Sequence, residues 1–355
     1  LMIQPDVLIE SFEKLNDKII AFQNKIQDLN FSKINKISMK IISRRCEEIS
    51  QTFKKIFKNN EFINWINVIL YKNNFNSITF NTTPFFIKNF INEFIDKFDS
   101  IIFCSATLTI HDEFNYFLND LGINEYSNQK KIMFKKYQSN FFIKDQVKLF
   151  VLNTNYEVNS FEYSMQVFEL ISKIHKNIKK RMLVLCTSYR QINIFKEIFN
   201  KEYSKSNNIF FQESTASRQV ILNRYLENPG SVLIGTSSFW EGIDLPNDML
   251  EILLITKLPF SNPNHPIVKS KIDYYQELGM NSFLEYQLPE AILKLRQGIG
   301  RLIRNENDMG ICILTDPRLL KKKYGRVFLE NLNLNSNSFF DDITLINESK
   351  KFLGC

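Results

Sequence analysis

Cysteine is scarce and scattered in this chain. Among 355 residues there are five, Cys46, Cys104, Cys186, Cys312 and Cys355, and no two stand close together. That spacing excludes a zinc knuckle and a local iron–sulfur run. Cys104, Cys186 and Cys312 each lie in or beside an apolar, strand-like stretch and read as small core residues. Thiols used in this way suit a reducing cytoplasm. Long apolar runs are also missing. None reaches the length of a membrane span, and the first residues do not read as a signal peptide, so no membrane partner is expected. The chain begins at Leu1 instead of Met, and is therefore expected to be a piece of a longer polypeptide.

What is present points to packed domains. Hydrophobic residues make up 44% and aromatics 14%, with Phe at 33 copies, which argues against disorder. The length suits about two domains. A formal charge of +7 is compatible with a polyanionic partner without demanding one. Basic runs such as Lys130-Lys131 with Lys135-Lys136, or Lys321-Lys322-Lys323, read first as solvated faces.

Taken in order, Leu8, Phe12, Leu15, Ile19, Phe22, Ile26 and Leu29 alternate spacings of four and three, a helical seam over residues 5–30. Ile42, Cys46, Ile49, Phe53 and Ile56 mark a second helix over 33–57, and the two form an antiparallel hairpin. A β-hairpin is expected from Trp65 to Phe80, turning at Asn73-Asn74. Thr83-Pro84 opens a helix over 84–97, and Ile101–Cys104 reads as a buried strand ending in Ser105-Ala106-Thr107-Leu108-Thr109. Connecting structure fills 110–145. From Val147 onward, strands at 147–152, 182–187, 208–212, 231–235, 251–256 and 310–315 alternate with helices at 160–178, 189–202, 215–227, 265–279, 289–304 and 318–331. That rhythm predicts a parallel sheet with helices on both faces, α/β in class. The polar tail after Asn331 stays unassigned.

Four segments of this pattern carry chemistry. The first is the hydroxyl-rich end of the 101–104 strand, placed at the carboxyl edge of a parallel sheet, where α/β proteins bind ligands. In the second, the strand at 183–186 runs into Thr187-Ser188-Tyr189, where hydroxyls and helix amides suit phosphate, or where Ser188 simply caps a helix. The third, Gly235-Thr236-Ser237-Ser238-Phe239-Trp240-Glu241-Gly242-Ile243-Asp244, packs acids and glycines into one loop, or plugs the core with Trp240. The fourth is Gln297-Gly298-Ile299-Gly300-Arg301-Leu302-Ile303-Arg304. If it is helical, Arg301 and Arg304 share a face. Their planar, permanently charged forks suit a phosphate whose charge is being redistributed. The bland alternative is a helix with two solvated arginines.

Together these segments resemble the helicases of the DinG and XPD family in helicase superfamily two, the DinG branch most closely. Ser105–Thr109 looks like that family's third motif, Leu185–Gln191 like its fourth, Gly235–Asp244 through Phe260 like its fifth, and Glu290–Arg304 with Asp316-Pro317-Arg318 like its sixth. The resemblance implies a second RecA-like helicase domain at 146–335, preceded by a helical arch-like hairpin at 1–64 and by the last part of a first RecA-like domain and a connector at 65–145, with a tail at 336–355. It implies ATP and Mg2+ as cofactors, with single-stranded DNA as a partner. Arg301 and Arg304 would reach the terminal phosphate from the carboxyl edge of the sheet, and Gln297 would couple nucleotide to DNA. Glu241, Gly242, Asp244 and Gly300 would line the nucleotide, while Thr187, Ser188, Thr236 and Thr107 would answer to DNA. Ser237 stands where the DinG branch often has an acid.

The chain also departs from the family. It contains no Gly-x-x-x-x-Gly-Lys-Ser/Thr loop and no Asp-Glu-x-His box. In the family both lie upstream, as does the iron–sulfur cysteine set where one is present. The expectation is the carboxy-terminal half of a motor, with ATP and Mg2+ held mainly by a missing amino-terminal lobe, that half being a partner, and no iron–sulfur cluster in this chain. A catalytically inactive remnant that binds nucleic acid or a partner protein is the alternative.

Overall fold

The structure is a computed structural model that describes residues 5–27, 33–58, 62–71, 74–110, 112–123, 132–137, 143–203, 208–213, 217–236, 250–303, 305–339 and 341–355. It divides into two units. One comprises Leu1–Ile101, Asn119–Glu125 and Asn262–Ser282, and the other Ile102–Leu118, Tyr126–Ser261 and Phe283–Cys355.

In the first unit, α1 (Pro5–Gln27) and α2 (Lys33–Lys58) pair as a helical hairpin, with Gln23 Nε2 donating to Ser43 Oγ at 3.4 Å. The apolar seam is only partly covered: Leu15, Phe22, Ile42 and Ile49 remain exposed. Two helices alone cannot enclose stripes that a third layer normally covers. Antiparallel β1 (Phe62–Tyr71) and β2 (Asn74–Pro84) follow, with Tyr71 paired to Asn74. Pro84 closes β2 instead of opening a helix, and α3 spans Lys88–Ile95. The segment at 101–104 is not a strand. Its backbone is irregular, with Ile102 86% and Phe103 41% exposed, and Cys104 is exposed instead of being a core residue. A strand needs a neighbour for its amides, and no described strand lies beside this one. Short helices α4 (Asn115–Leu121) and α5 (Ile143–Gln146) occupy the connector.

The second unit is built on seven parallel strands: β3 (Val147–Leu152), β4 (Met182–Leu185), β5 (Ile209–Phe211), β6 (Val232–Gly235), β7 (Ile252–Ile255), β8 (Gly310–Leu314) and β9 (Ser336–Phe339). Their order is β5-β6-β4-β7-β8-β3-β9. Successive strand residues feed opposite cores, as the two-residue period requires. Leu183, Leu253 and Cys312 join one cluster, and Met182, Val184, Leu254 and Ile313 the other. The first face is covered by α8 (Arg218–Glu227), by α10 (Leu288–Ile299) through Ala291, Ile292 and Leu295, and by α12 (Lys323–Leu332). The second is covered by α6 (Phe161–Ile178), α7 (Tyr189–Ile198) and α13 (Asp342–Leu353). The expected parallel sheet covered on both faces is therefore present, and helical segments precede it.

Several boundaries differ from the sequence reading. The helix expected at 265–279 forms as α9 (Pro266–Glu277) but belongs to the first unit. The helix expected at 189–202 changes to a π turn at Phe199–Tyr203. The one expected at 318–331 breaks at Lys322, leaving α11 (Arg318–Lys321) and then α12. Residues left unassigned as tail form β9, which pairs with β3, and α13, which buries Leu345 against the sheet.

Candidate functional site

Four strands of the second unit, β4, β6, β7 and β8, run into hydroxyl-bearing residues at one edge. Thr187 and Ser188 follow β4, Thr236 follows β6, Thr256 and Lys257 follow β7, and Thr315 and Asp316 follow β8. Because β4 and β6 are neighbours, with Cys186 N donating to Gly235 O at 2.8 Å, the expected DNA-contact residues Thr187, Ser188 and Thr236 lie side by side. Ser188 Oγ accepts from Gln191 N at 3.4 Å and so caps α7. Thr236 gives both its amide and its hydroxyl to Gln212 Oε1, at 2.7 and 2.9 Å, and Gln212 Nε2 reaches Tyr189 Oη at 2.7 Å. Thr187, Tyr189 and Arg190 remain exposed around this chain.

Behind that rim lies a buried network that sequence reasoning did not find. Asp316, 1% exposed, accepts from Leu258 N at 2.8 Å and holds the Arg318 guanidinium by a fork, Nε to Oδ1 at 2.9 Å and Nη2 to Oδ2 at 2.6 Å. Arg318 lies over the Phe260 ring. Tyr163 Oη donates to Thr256 O and lies 2.9 Å from Thr315 Oγ1, and Thr256 Oγ1 bonds Gln191 Oε1 at 2.9 Å. Burial pushes the Tyr163 hydroxyl far above its ordinary 10.0, so it stays a neutral donor. Burial also lowers the Lys257 ammonium below 10.5, while Asn159 Oδ1 accepts from it at 3.0 Å. The signal available in sequence was the repeated ending of apolar strands in threonine followed by a charge: Thr256-Lys257 and Thr315-Asp316.

The arginine segment is placed elsewhere. Helix α10 stops at Ile299 with Gly300 as its cap, and Arg301 N and Leu302 N close tight turns onto Gly298 O and Ile299 O. Arg301 therefore does not extend a helical face, and Arg304 lies outside the described residues. Nor is Arg301 at the carboxyl edge. Leu302 packs against Gly310, the first residue of β8, and Gln146, just before β3, donates to Asn305 O and Asp308 O. Both contacts mark the amino edge. The physical reason is connectivity: a helix that joins parallel strands must run back to where the next strand begins.

At that end the fold brings five other residues together. Gln297 Nε2 donates to Thr107 Oγ1 at 3.2 Å, across 190 positions. Arg296 Nη1 donates to Thr109 O at 2.5 Å, and Ser105 Oγ lies 3.3 Å from Thr107 Oγ1. The expected site residues thus form two groups, hydroxyls at the carboxyl edge and Thr107, Gln297 and Arg301 at the amino edge. Glu241, Gly242, Asp244 and Ser237 lie outside the described residues.

Residues 171–335 match the family described as the helicase C-terminal domain. This segment is a DinG-like helicase C-terminal domain. Relatives of the domain include the ATP-dependent DNA helicase YoaA of Haemophilus influenzae, 30% identical over 332 residues, which are 93% of this chain and 49% of YoaA. The 3'-5' exonuclease DinG of Bacillus subtilis is 29% identical over 259 residues, 72% of this chain and 27% of DinG. A solved XPD helicase shares the fold with a TM-score of 0.55 and 18% identity, over 91% of this chain and 62% of that one. The chain spans about half the length of YoaA and about a quarter of DinG. Among the described residues no group of His, Cys, Asp and Glu could hold a metal ion, and the Asp316 carboxylate is already matched by Arg318. What they offer a nucleotide or a nucleic acid is cations and hydroxyls.

Proposed function

We propose that this chain is the carboxy-terminal motor portion of an ATP-dependent DNA helicase of the DinG type. On this reading Arg301 and Arg304 meet the terminal phosphate of an ATP–Mg2+ complex held mainly by an amino-terminal lobe. Gln297, through Thr107, links that event to the DNA, and Glu241, Gly242, Asp244 and Gly300 line the nucleotide. Single-stranded DNA follows the carboxyl edge, where Thr187, Ser188 and Thr236 take its phosphates. The hairpin within residues 1–64 is arch-like, and 65–145 closes the first RecA-like domain and connects it to the second. The protein works in the cytoplasm.

The observation that carries this reading is the hydrogen bond between Gln297 and Thr107, four residues before Arg301, because it ties the two halves of the motif set into one contact. The exposed, irregular 102–104 segment supports it further, since an apolar run of that kind becomes a strand only beside another sheet. The amino-edge position of Arg301 runs against the expectation that it reaches the phosphate from the carboxyl edge, so the arginine assignment rests on the substitution test.

The test mixes this chain with a polypeptide carrying the lysine loop and the metal box, and measures DNA-stimulated ATP hydrolysis. Activity is expected only in the mixture, and Arg301→Ala is expected to lower it by at least about 10³-fold, the scale of an arginine finger. Turnover that survives the substitution removes the arginine assignment. Binding of single-stranded DNA without any turnover in the mixture favours the second reading, a nucleic-acid-binding or partner-binding remnant. The chain's lack of the lysine loop and the metal box also speaks for that reading.

A further inference from the structure

The first unit holds a cavity of about 590 Å³ that the motor reading does not use. Its walls are aromatic. Phe85 and Phe86 both meet Tyr274 edge-on, at 5.3 and 4.9 Å between centroids, and Phe62 meets Phe90 at 6.4 Å. Phe86 and Phe90 stay about half exposed, so ring surface faces open space instead of a filled core. Two carboxylates stand on the rim, Asp273 and Glu277, four residues apart and so on one face of α9. Both are exposed, and among the described residues neither has a hydrogen bond or an ion pair. Lys88 also lines the cavity, its stem lying where a side chain at Gly122 would go. Two acids against one lysine leave the lining net negative, in a chain whose formal charge is +7.

Aromatic faces beside uncommitted carboxylates select a particular ligand. A cation held over a ring face is attracted by the ring quadrupole, and a carboxylate beside it completes the charge match. Guanidinium fits better than ammonium. It is flat, so it stacks on a ring, it is weakly hydrated, so it enters an apolar box at lower cost, and its fork matches a carboxylate bidentately. A nucleobase would also stack, but its phosphates would have to approach Asp273 and Glu277. We infer that this cavity is a docking site for an arginine side chain presented by a partner polypeptide.

The experiment uses the full chain and a fluorescent Gly-Ser peptide with one central arginine, followed by polarisation. The controls are the same peptide with citrulline, which keeps the shape and loses the charge, and a thymidine oligonucleotide. The arginine peptide is expected to bind at least about tenfold more tightly than the citrulline peptide, the worth of one well-placed charged contact. Changing both acids to amides, Asp273→Asn with Glu277→Gln, preserves shape and is expected to weaken the arginine peptide about tenfold. Tyr274→Ala, checked for unchanged circular dichroism, is expected to weaken it likewise. Equal affinity for arginine and citrulline, or no binding of the arginine peptide, overturns the inference. So does an oligonucleotide whose affinity falls on Tyr274→Ala and rises in the double amide variant, because that pattern marks a base-stacking site. The amide variant separates the two ligands by the sign of its effect.

Discussion

Asp316 shows how much can depend on one buried charge. Its carboxylate anchors Leu258 N and both sides of the Arg318 fork, so its loss strands an amide and a guanidinium together. Asp316→Ala is expected to cost about 3–4 kcal/mol, the lower part of the usual range for breaking such a pair, because Arg318 keeps some contact with water. Urea denaturation of the chain measures it, and a loss under about 1 kcal/mol would show that the fork is replaceable by solvent. The thiols make a second test. Burial pushes Cys186 from 9.0 up to about 12 and raises Cys312 as well. A thiol that ionises less readily when folded adds stability below pH 9.0, its unfolded value, and loses it as pH climbs toward about 12. Stability is therefore expected to be level near pH 8 and to fall above 9, by about 1.4 kcal/mol per pH unit for each buried thiol. Alkylation at pH 8 should label exposed Cys104 and Cys355 and spare Cys186 and Cys312 until the chain unfolds. Residue-level reading of the sequence succeeded for these last two and failed for Cys104. An apolar neighbourhood in sequence signals a core only when a partner strand exists to bury it.

At the scale of elements, the helices and strands after Val147 were legible because each apolar run is short, continuous and bounded by turn residues. Their ends were less so. Helix α10 was expected to carry both arginines, yet it stops at Ile299, because the chain must turn there to enter β8. The break between α11 and α12 has an equally local cause. At Gly325 a Cβ would lie 2.1 Å from Leu319 O, so only glycine lets the second helix start so close to the first. Gly325→Ala is expected to destabilise the domain by about 1–3 kcal/mol, as overpacking does, and to shift α11 together with Arg318. A thermal melt reads the first effect, and chemical-shift changes around Arg318 read the second. An alanine variant as stable as the parent would mean that the corner opens without strain.

At the scale of the whole molecule, the residues after Asn331 carry the largest surprise. They looked like a polar tail, yet β9 covers the edge of β3, and α13 buries Leu345 and Ile346 beside Phe339. Removing residues 336–355 is expected to cost at least about 5 kcal/mol, from roughly 1.5–3 kcal/mol for each of three buried side chains. It also leaves β3 as an open edge prone to pairing between chains. Size-exclusion chromatography and amide exchange at β3 measure the outcome, and a monodisperse truncated protein with protected β3 amides would refute it.

The sequence by itself determined the class of the fold, the parallel sheet beneath two helical layers, and the helical hairpin that precedes it. Those follow from local periodicity, which each segment carries without its neighbours. It also determined the motif order that leads to a helicase C-terminal domain. Only the tertiary structure decided that Gln297 meets Thr107, that Asp316 locks Arg318 beneath the strand edge, and that Arg301 stands at the opposite edge from Thr187, Ser188 and Thr236. Contacts across 190 positions depend on how strands are ordered and which way each helix returns. Strand order and helix direction are set by packing the whole sheet at once, and no single stretch of sequence records them.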